Sequence, residues 1–169
     1  MLPAAYSAVG IKKPRDVYLL SLGFFFVAFF TKWRIERVEE EQIIVAGLNE
    51  ASQSFIRALQ FRQLKFVVLT NSKQEAKQLR KHGITDVVFI NSNDRNSWVP
   101  PVFRVREVFI FESSLALSCR FVQCCRSWTS EPIYVITQQW NPRAIYKGLG
   151  ASHIVFTQTG EVSFLLNNK

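Results

Sequence analysis

The sequence predicts an α/β chain: a doubly wound parallel sheet of about six strands, preceded by one N-terminal transmembrane helix. Three observations predict it. From Gln42 onward, short runs rich in Val, Ile and Phe alternate with helical segments, the pattern of strands joined by helical crossovers. One such run, Ile43–Ala46, passes through Gly47 straight into a helix, the unit on which sheets of this kind are organised. Ahead of both, Val17–Thr31 runs 15 residues without a charge.

The N-terminal part divides by composition. Residues 1–16 form a tail carrying Lys12, Lys13 and Arg15, and residues 17–33 are the expected membrane anchor, dense in Phe from Phe24 to Phe30. An uncharged run of 15 falls short of the roughly 20 residues that span a bilayer. Asp16 and Lys32 can snorkel, and Tyr18 and Trp33 suit the interface, which lengthens the span. A cleaved signal segment and a buried helix are the alternatives; no small-x-small cleavage site follows, and the anchor fits better. Three basic residues on each side leave the membrane orientation undecided. Residues 34–41 alternate in charge and read as a linker.

Residues 42–169 form the globular domain. Strand one is Ile43–Ala46, followed by a helix capped near Ser52 with Phe55, Ile56 and Leu59 on one face. Strand two is Lys65–Thr70, and Ser72 with Glu75 reads as a capping box for a helix ending at Gly83. Strand three is Asp86–Ile90, then Asn91–Phe103 is too broken by Pro100 and Pro101 for regular structure. Strand four, Glu107–Phe111, leads to a helix capped by Ser113 or Ser114. Strand five is Ile133–Thr137, Asn141-Pro142 starts a short helix, and His153–Phe156 is strand six. Val162–Leu166 is a candidate edge strand, and the expected order is 3-2-1-4-5-6.

These segments, in this order, resemble the KTN (TrkA-N-like) family, the Rossmann-type nucleotide-binding domain of potassium-channel and transporter regulators. Gly47 and Leu149-Gly-Ala-Ser-His-Ile-Val155 carry the likeness best, within a stretch from about Glu41 to Phe156. The resemblance implies a glycine-rich phosphate turn and an acidic residue at the tip of strand two. Here the three glycine positions read Gly47, Asn49 and Ser52, and the strand-two tip reads Thr70. The second glycine of such a turn lets backbone approach a pyrophosphate, and a side chain there crowds it. Asn49 tolerates a left-handed φ, so the turn is expected to survive. Glu50 adds a repelling charge. Standard NAD binding is therefore expected to be lost, with an altered nucleotide site as the alternative.

Little else points to chemistry. His82 and His153 stand apart without ligands at metal spacing, and no P-loop or nucleophile elbow is present. Glu112-Ser113-Ser114 lies at the tip of strand four with no histidine base marked for a serine nucleophile, while Trp98 and Trp140 are expected in loops on that same side. Cys119, Cys124 and Cys125 fall in one stretch and read as reduced thiols, which places the domain in a reducing compartment, cytoplasm or organelle matrix. The domain carries 15 Lys and Arg against 8 Asp and Glu, scattered rather than clustered, so nucleic acid is not the expected partner. The expectation is a non-catalytic, single-pass membrane module, regulatory or accessory, partnered by subunits of a membrane complex or by its own copies.

Overall fold

The computed structural model describes residues 41–159 and 162–166. The expected tail, anchor and linker lie outside the described residues, except Glu41, which belongs to the first strand. Six strands, β1 (Glu41–Ala46), β2 (Phe66–Thr70), β3 (Val87–Phe89), β4 (Arg104–Phe111), β5 (Ile133–Thr137) and β6 (His153–Phe156), form one sheet. All neighbours are parallel and the order is β3-β2-β1-β4-β5-β6, as the pattern predicts. The order reverses between β1 and β4, which opens a crevice at the C-terminal ends of those strands.

Helices α1 (Glu50–Phe61), α2 (Lys73–Lys81), α3 (Leu115–Trp128) and α4 (Arg143–Gly148) run back along the two faces. Successive side chains of a strand point to opposite faces, and both faces are apolar here. Ile43 and Val45 meet Phe55, Ile56, Leu59 and Leu79 of α1 and α2. Ile44 and Ala46 meet the layer of Phe121, Val122, Cys124, Cys125 and Tyr146 from α3 and α4. Phe55 is the keystone of the first face, its ring centroid 4.7 Å from that of Phe109 and 5.4 Å from that of Phe111. Burying a side chain of that size stabilises by about 2–3 kcal/mol.

Four expectations are corrected. Strand four begins three residues early, at Arg104, because β1 extends back to Glu41 and offers a partner there through a bulge at Gln42/Ile43. Val162–Leu166 is not an edge strand: Ser163–Leu166 is a 3₁₀ turn, with Val162 and Leu166 buried beside Phe109 and Ile136. The Leu165 amide donates to the Val162 carbonyl at 3.0 Å, the three-residue bond of a 3₁₀ turn, so this backbone bonds to itself and not to a sheet edge. Asn141 does not cap α4; Pro142 stands at the cap position, makes no side-chain bond, and its carbonyl accepts from the Tyr146 amide at 3.1 Å. Trp98 does not join the loops of the crevice: it packs on the α3 side, and its carbonyl accepts the Trp128 indole N–H at 3.1 Å. Among the described residues no helix is long and apolar enough to cross a membrane.

Candidate functional site

Gly47 ends β1 with φ +79°, a backbone that favours glycine. A Cβ there would stand 1.9 Å from the Phe111 carbonyl oxygen. This glycine is required because the turn passes directly against the backbone of β4.

The helix that follows is closed from within. Its cap is Asn49, three residues before the expected Ser52, and its φ of −138° is extended rather than left-handed. The Asn49 Oδ1 accepts from the Ser52 amide at 2.9 Å, and the Ser52 Oγ accepts from the Asn49 amide at 2.9 Å. This reciprocal capping box uses up helix N-terminal donors that otherwise attract an anion. The Asn49 Nδ2 donates across the crevice to the Glu112 carbonyl at 3.2 Å, tying the start of α1 to the tip of β4. Ser52 is fully buried, with its hydroxyl also donating to the Asn49 carbonyl at 2.8 Å. The spacing Asn-x-x-Ser is itself a capping signal in the sequence.

At the tip of β2, Thr70 is buried and its hydroxyl joins two partners. It accepts from the Ser72 amide at 3.1 Å and donates to the Glu75 Oε2 at 2.6 Å. Glu75 therefore does not complete a box with Ser72, although the Ser72 hydroxyl does accept from the Glu75 amide at 3.2 Å. A carboxylate does stand at the β2 tip, contributed by α2 and not by the strand. Sequence reasoning missed it because it looked for the acid on β2 itself. Glu75 also lines a groove of 470 Å³ between α1 and α2, with Arg57 and His82.

The crevice proper has a volume of 760 Å³ and runs over the tips of β1, β4 and β5. Asn49, Glu50, Glu112, Ser113, Ser114 and Gln139 are among its lining residues; two of its side chains are carboxylates and none is basic. Glu112 is held by a hydrogen-bond network that sequence spacing could not show. Its Oε1 accepts from the Tyr146 hydroxyl at 2.6 Å, and its Oε2 accepts from the Thr137 hydroxyl. Burial, followed by the Glu112 carboxylate, pushes the Tyr146 hydroxyl well above its ordinary pKa. Ser114 caps α3 by accepting from the Leu117 amide at 3.4 Å. This arrangement can position a carboxylate in the crevice, but it offers an incoming phosphate no cation.

His82 and His153 are both exposed and distant from the crevice; His153 stacks on Tyr134 at 4.7 Å. Among the described residues no cluster of three His, Cys, Asp or Glu could hold a metal. Cys124 and Cys125 are buried in the α3 layer and Cys119 is half-buried, and all three are free thiols.

No protein-family model matches the chain, and no curated protein is significantly similar to it in sequence. Solved structures are similar in fold. The NAD(P)-binding domain of an exopolyphosphatase-related protein from Archaeoglobus fulgidus matches with TM-score 0.58 and 19% identity, over 74% of this chain and 94% of that one. The TrkA-N domain of the inner membrane protein YbaL from Escherichia coli matches with TM-score 0.56 and 14% identity, over 75% of this chain and 94% of that one. The GsuK channel bound to NAD matches with TM-score 0.58 and 20% identity over 89% of this chain, which spans only 32% of the channel. At such identities the likeness is one of fold: the chain has the Rossmann-type fold seen in these NAD(P)-binding, TrkA-N and channel domains.

Proposed function

We propose that this chain is a non-catalytic, membrane-anchored regulatory or accessory subunit of a membrane protein complex, in which the nucleotide turn has become scaffold. The observation that carries the reading is the closed turn. Asn49 and Ser52 satisfy each other at the mouth of α1, and Asn49 reaches on to Glu112, where a pyrophosphate would need open backbone. Glu50 and Glu112 add negative charge to the same crevice, and among the described residues that line it none is a cation to offset a phosphate. The membrane part of the reading rests on the uncharged run Val17–Thr31. The regulatory part rests on fold likeness to a channel and to a domain of an inner membrane protein, one route of which is ion transport.

A nucleotide sensor with an altered turn is the second reading. Two observations favour it: the Glu75 carboxylate at the β2 tip, and neighbours of the same fold described as bound to NAD and to ADP. Calorimetric titration of the full chain in detergent with NAD, NADH, ADP and ATP decides between the two. No heat up to millimolar ligand is the expected result. Micromolar binding of any of the four would overturn the closed-turn reading.

A further inference from the structure

We infer that the crevice is a docking site for a basic segment of a partner subunit. An arginine of that segment meets Glu50 and Glu112, and an apolar neighbour packs on Trp140 and Phe156. This inference deepens the accessory-subunit reading above and rests on it for the partner. Two independent features carry it. The first is charge. The chain carries 21 Lys and Arg against 13 Asp and Glu, so its surface as a whole is basic. The 760 Å³ crevice runs against that balance, with two carboxylates and no cation among its described lining residues. Glu50 is exposed and has no ion-pair partner among the described residues. Glu112 accepts only from the neutral hydroxyls of Tyr146 and Thr137, which leaves about two of its roughly four lone-pair sites open. Ser113, Gln138 and Gln139 line the same space and add oxygen acceptors for the remaining N–H groups of a guanidinium. The second feature is aromatic. Trp140 is 59% and Phe156 42% exposed, and they meet edge to face with ring centroids 5.7 Å apart. Their chain neighbours Gln139 and Thr157 line the crevice, so the pair stands at its rim. Exposed rings beside a polar recess are the composition of an interface anchor.

The bland account is that an acid in the first turn suits the α1 dipole and that Glu112 serves its own hydroxyl network. It covers each carboxylate singly. It does not cover the exposed aromatic pair at the rim of the same recess. The nearby cations are engaged elsewhere. Arg143 lies over the Trp140 ring at 5.3 Å, Lys147 donates to the Ser152 carbonyl, and Arg120 donates to Asn93. Lys73 lies over the Phe89 ring at 5.7 Å, beyond β2. Arg143 also sets the order of the incoming segment, because a second cation over Trp140 would be repelled. The segment therefore presents an apolar side chain to the rim and its cation to the carboxylates. A divalent metal fits less well, since among the described residues no three His, Cys, Asp or Glu gather. A guanidinium needs only acceptors placed for its planar fork. Nucleic acid and anionic lipid are repelled by the same two carboxylates.

Fluorescence anisotropy of the full chain in detergent tests this. The probes are a short labelled peptide carrying arginine beside two leucines, and the same peptide with neutral citrulline in place of arginine. The arginine peptide should bind at about 10–100 μM, and the citrulline peptide at least about tenfold more weakly. Glu50→Gln and Glu112→Gln should each weaken the arginine peptide about fivefold and leave the citrulline peptide unchanged. Glu50 is exposed, so its variant keeps the test free of folding effects. Trp140→Ala should weaken both peptides about fivefold. Asp86→Asn, at an exposed carboxylate just before β3, should change neither. Equal affinity for the two peptides, undiminished binding by the E50Q/E112Q double variant, or no binding up to millimolar peptide would overturn the inference. So would spermidine or calcium displacing the label at lower concentration than unlabelled peptide does. ADP titrated into the same samples separates the two readings. ADP binding beside intact arginine selectivity refutes the closed turn and keeps the docking site. Absence of both kinds of binding keeps the closed turn and refutes the docking site.

Discussion

Replacing Gly47 with alanine should damage the fold whether or not any ligand binds. The added methyl would sit 1.9 Å from the Phe111 carbonyl oxygen, against an ordinary contact of 3.4 Å or more, so β1 and β4 must separate by about 1.5 Å. The positive φ adds about 1–2 kcal/mol of strain for any residue with a Cβ. Overpacking against backbone, which cannot rotate away, adds about 1–3 kcal/mol. The expected loss is about 2–5 kcal/mol, a large part of the 5–15 kcal/mol typical of a domain. Gly83 provides the control, because it has nearly the same φ, +82°, but nothing within 4 Å of its Cβ position. Gly83→Ala carries the strain without the collision and should cost about 1 kcal/mol, part of it returned by a stiffer unfolded chain. Urea unfolding followed by circular dichroism measures both variants. With an m-value near 2 kcal/mol per molar, the Gly47 variant should lose roughly 2 M in midpoint and the Gly83 variant about 0.5 M. Equal losses for the two would refute the claim that Gly47 is held by the packing of β1 on β4.

Asn49→Gly places a glycine at the second position of the turn and removes the bond to Glu112. The cap itself should weaken by only a few tenths of a kcal/mol, and the lost cross-crevice bond by about 1 kcal/mol. If the closed turn excludes nucleotides, this variant should show calorimetric ADP affinity where the parent shows none. Tyr146→Phe leaves the Glu112 Oε1 without its hydroxyl and should cost about 1.5–3 kcal/mol in urea unfolding. Because the native Tyr146 pKa is raised, its contribution is full below pH 10 and is lost as pH rises above that value, so the parent should weaken at strongly alkaline pH more than the variant does. Burial pushes the Cys124 thiol up to about 12 and the Cys125 thiol well above its ordinary range. Both should resist Ellman's reagent in the native domain at pH 8, and three thiols should react in denaturant.

The strands were legible because both faces of a parallel sheet are apolar, so Ile43–Ala46 and Ile133–Thr137 stand out as unbroken runs. Arg104 and Arg106 hid the start of β4, since these two positions are exposed and half-buried and need no apolar side chain. Asn141-Pro142 looked like a cap because the dipeptide carries that local preference, yet the helix began one residue later. The positions of the site were legible, and its bonds only in part. Asn49 and Ser52 are three apart, so their box was within reach of local rules. Tyr146 and Thr137 lie 34 and 25 residues from Glu112, and only the packing of α4 and β5 against β4 brings them together.

Gly47, Asn49 and Ser52, the positions that the sequence resemblance sets against the three glycines of a dinucleotide turn, do different things for this fold. The first, a tight turn against neighbouring backbone, belongs to folding alone, and Gly47 still performs it at the Phe111 carbonyl. The third, close approach of helix to strand, accepts a small side chain if its polar atom is satisfied, and the buried Ser52 hydroxyl has Asn49 on both sides. Only the second role serves a ligand, and that position holds Asn49, whose amide bonds the protein's own backbone at Glu112. Asn49 and Ser52 depend on each other, since each side chain satisfies the other's amide. Gly47 therefore reports the packing of β1 on β4. The second position is the one that bears on a phosphate, and here it is occupied by a side chain that completes the fold.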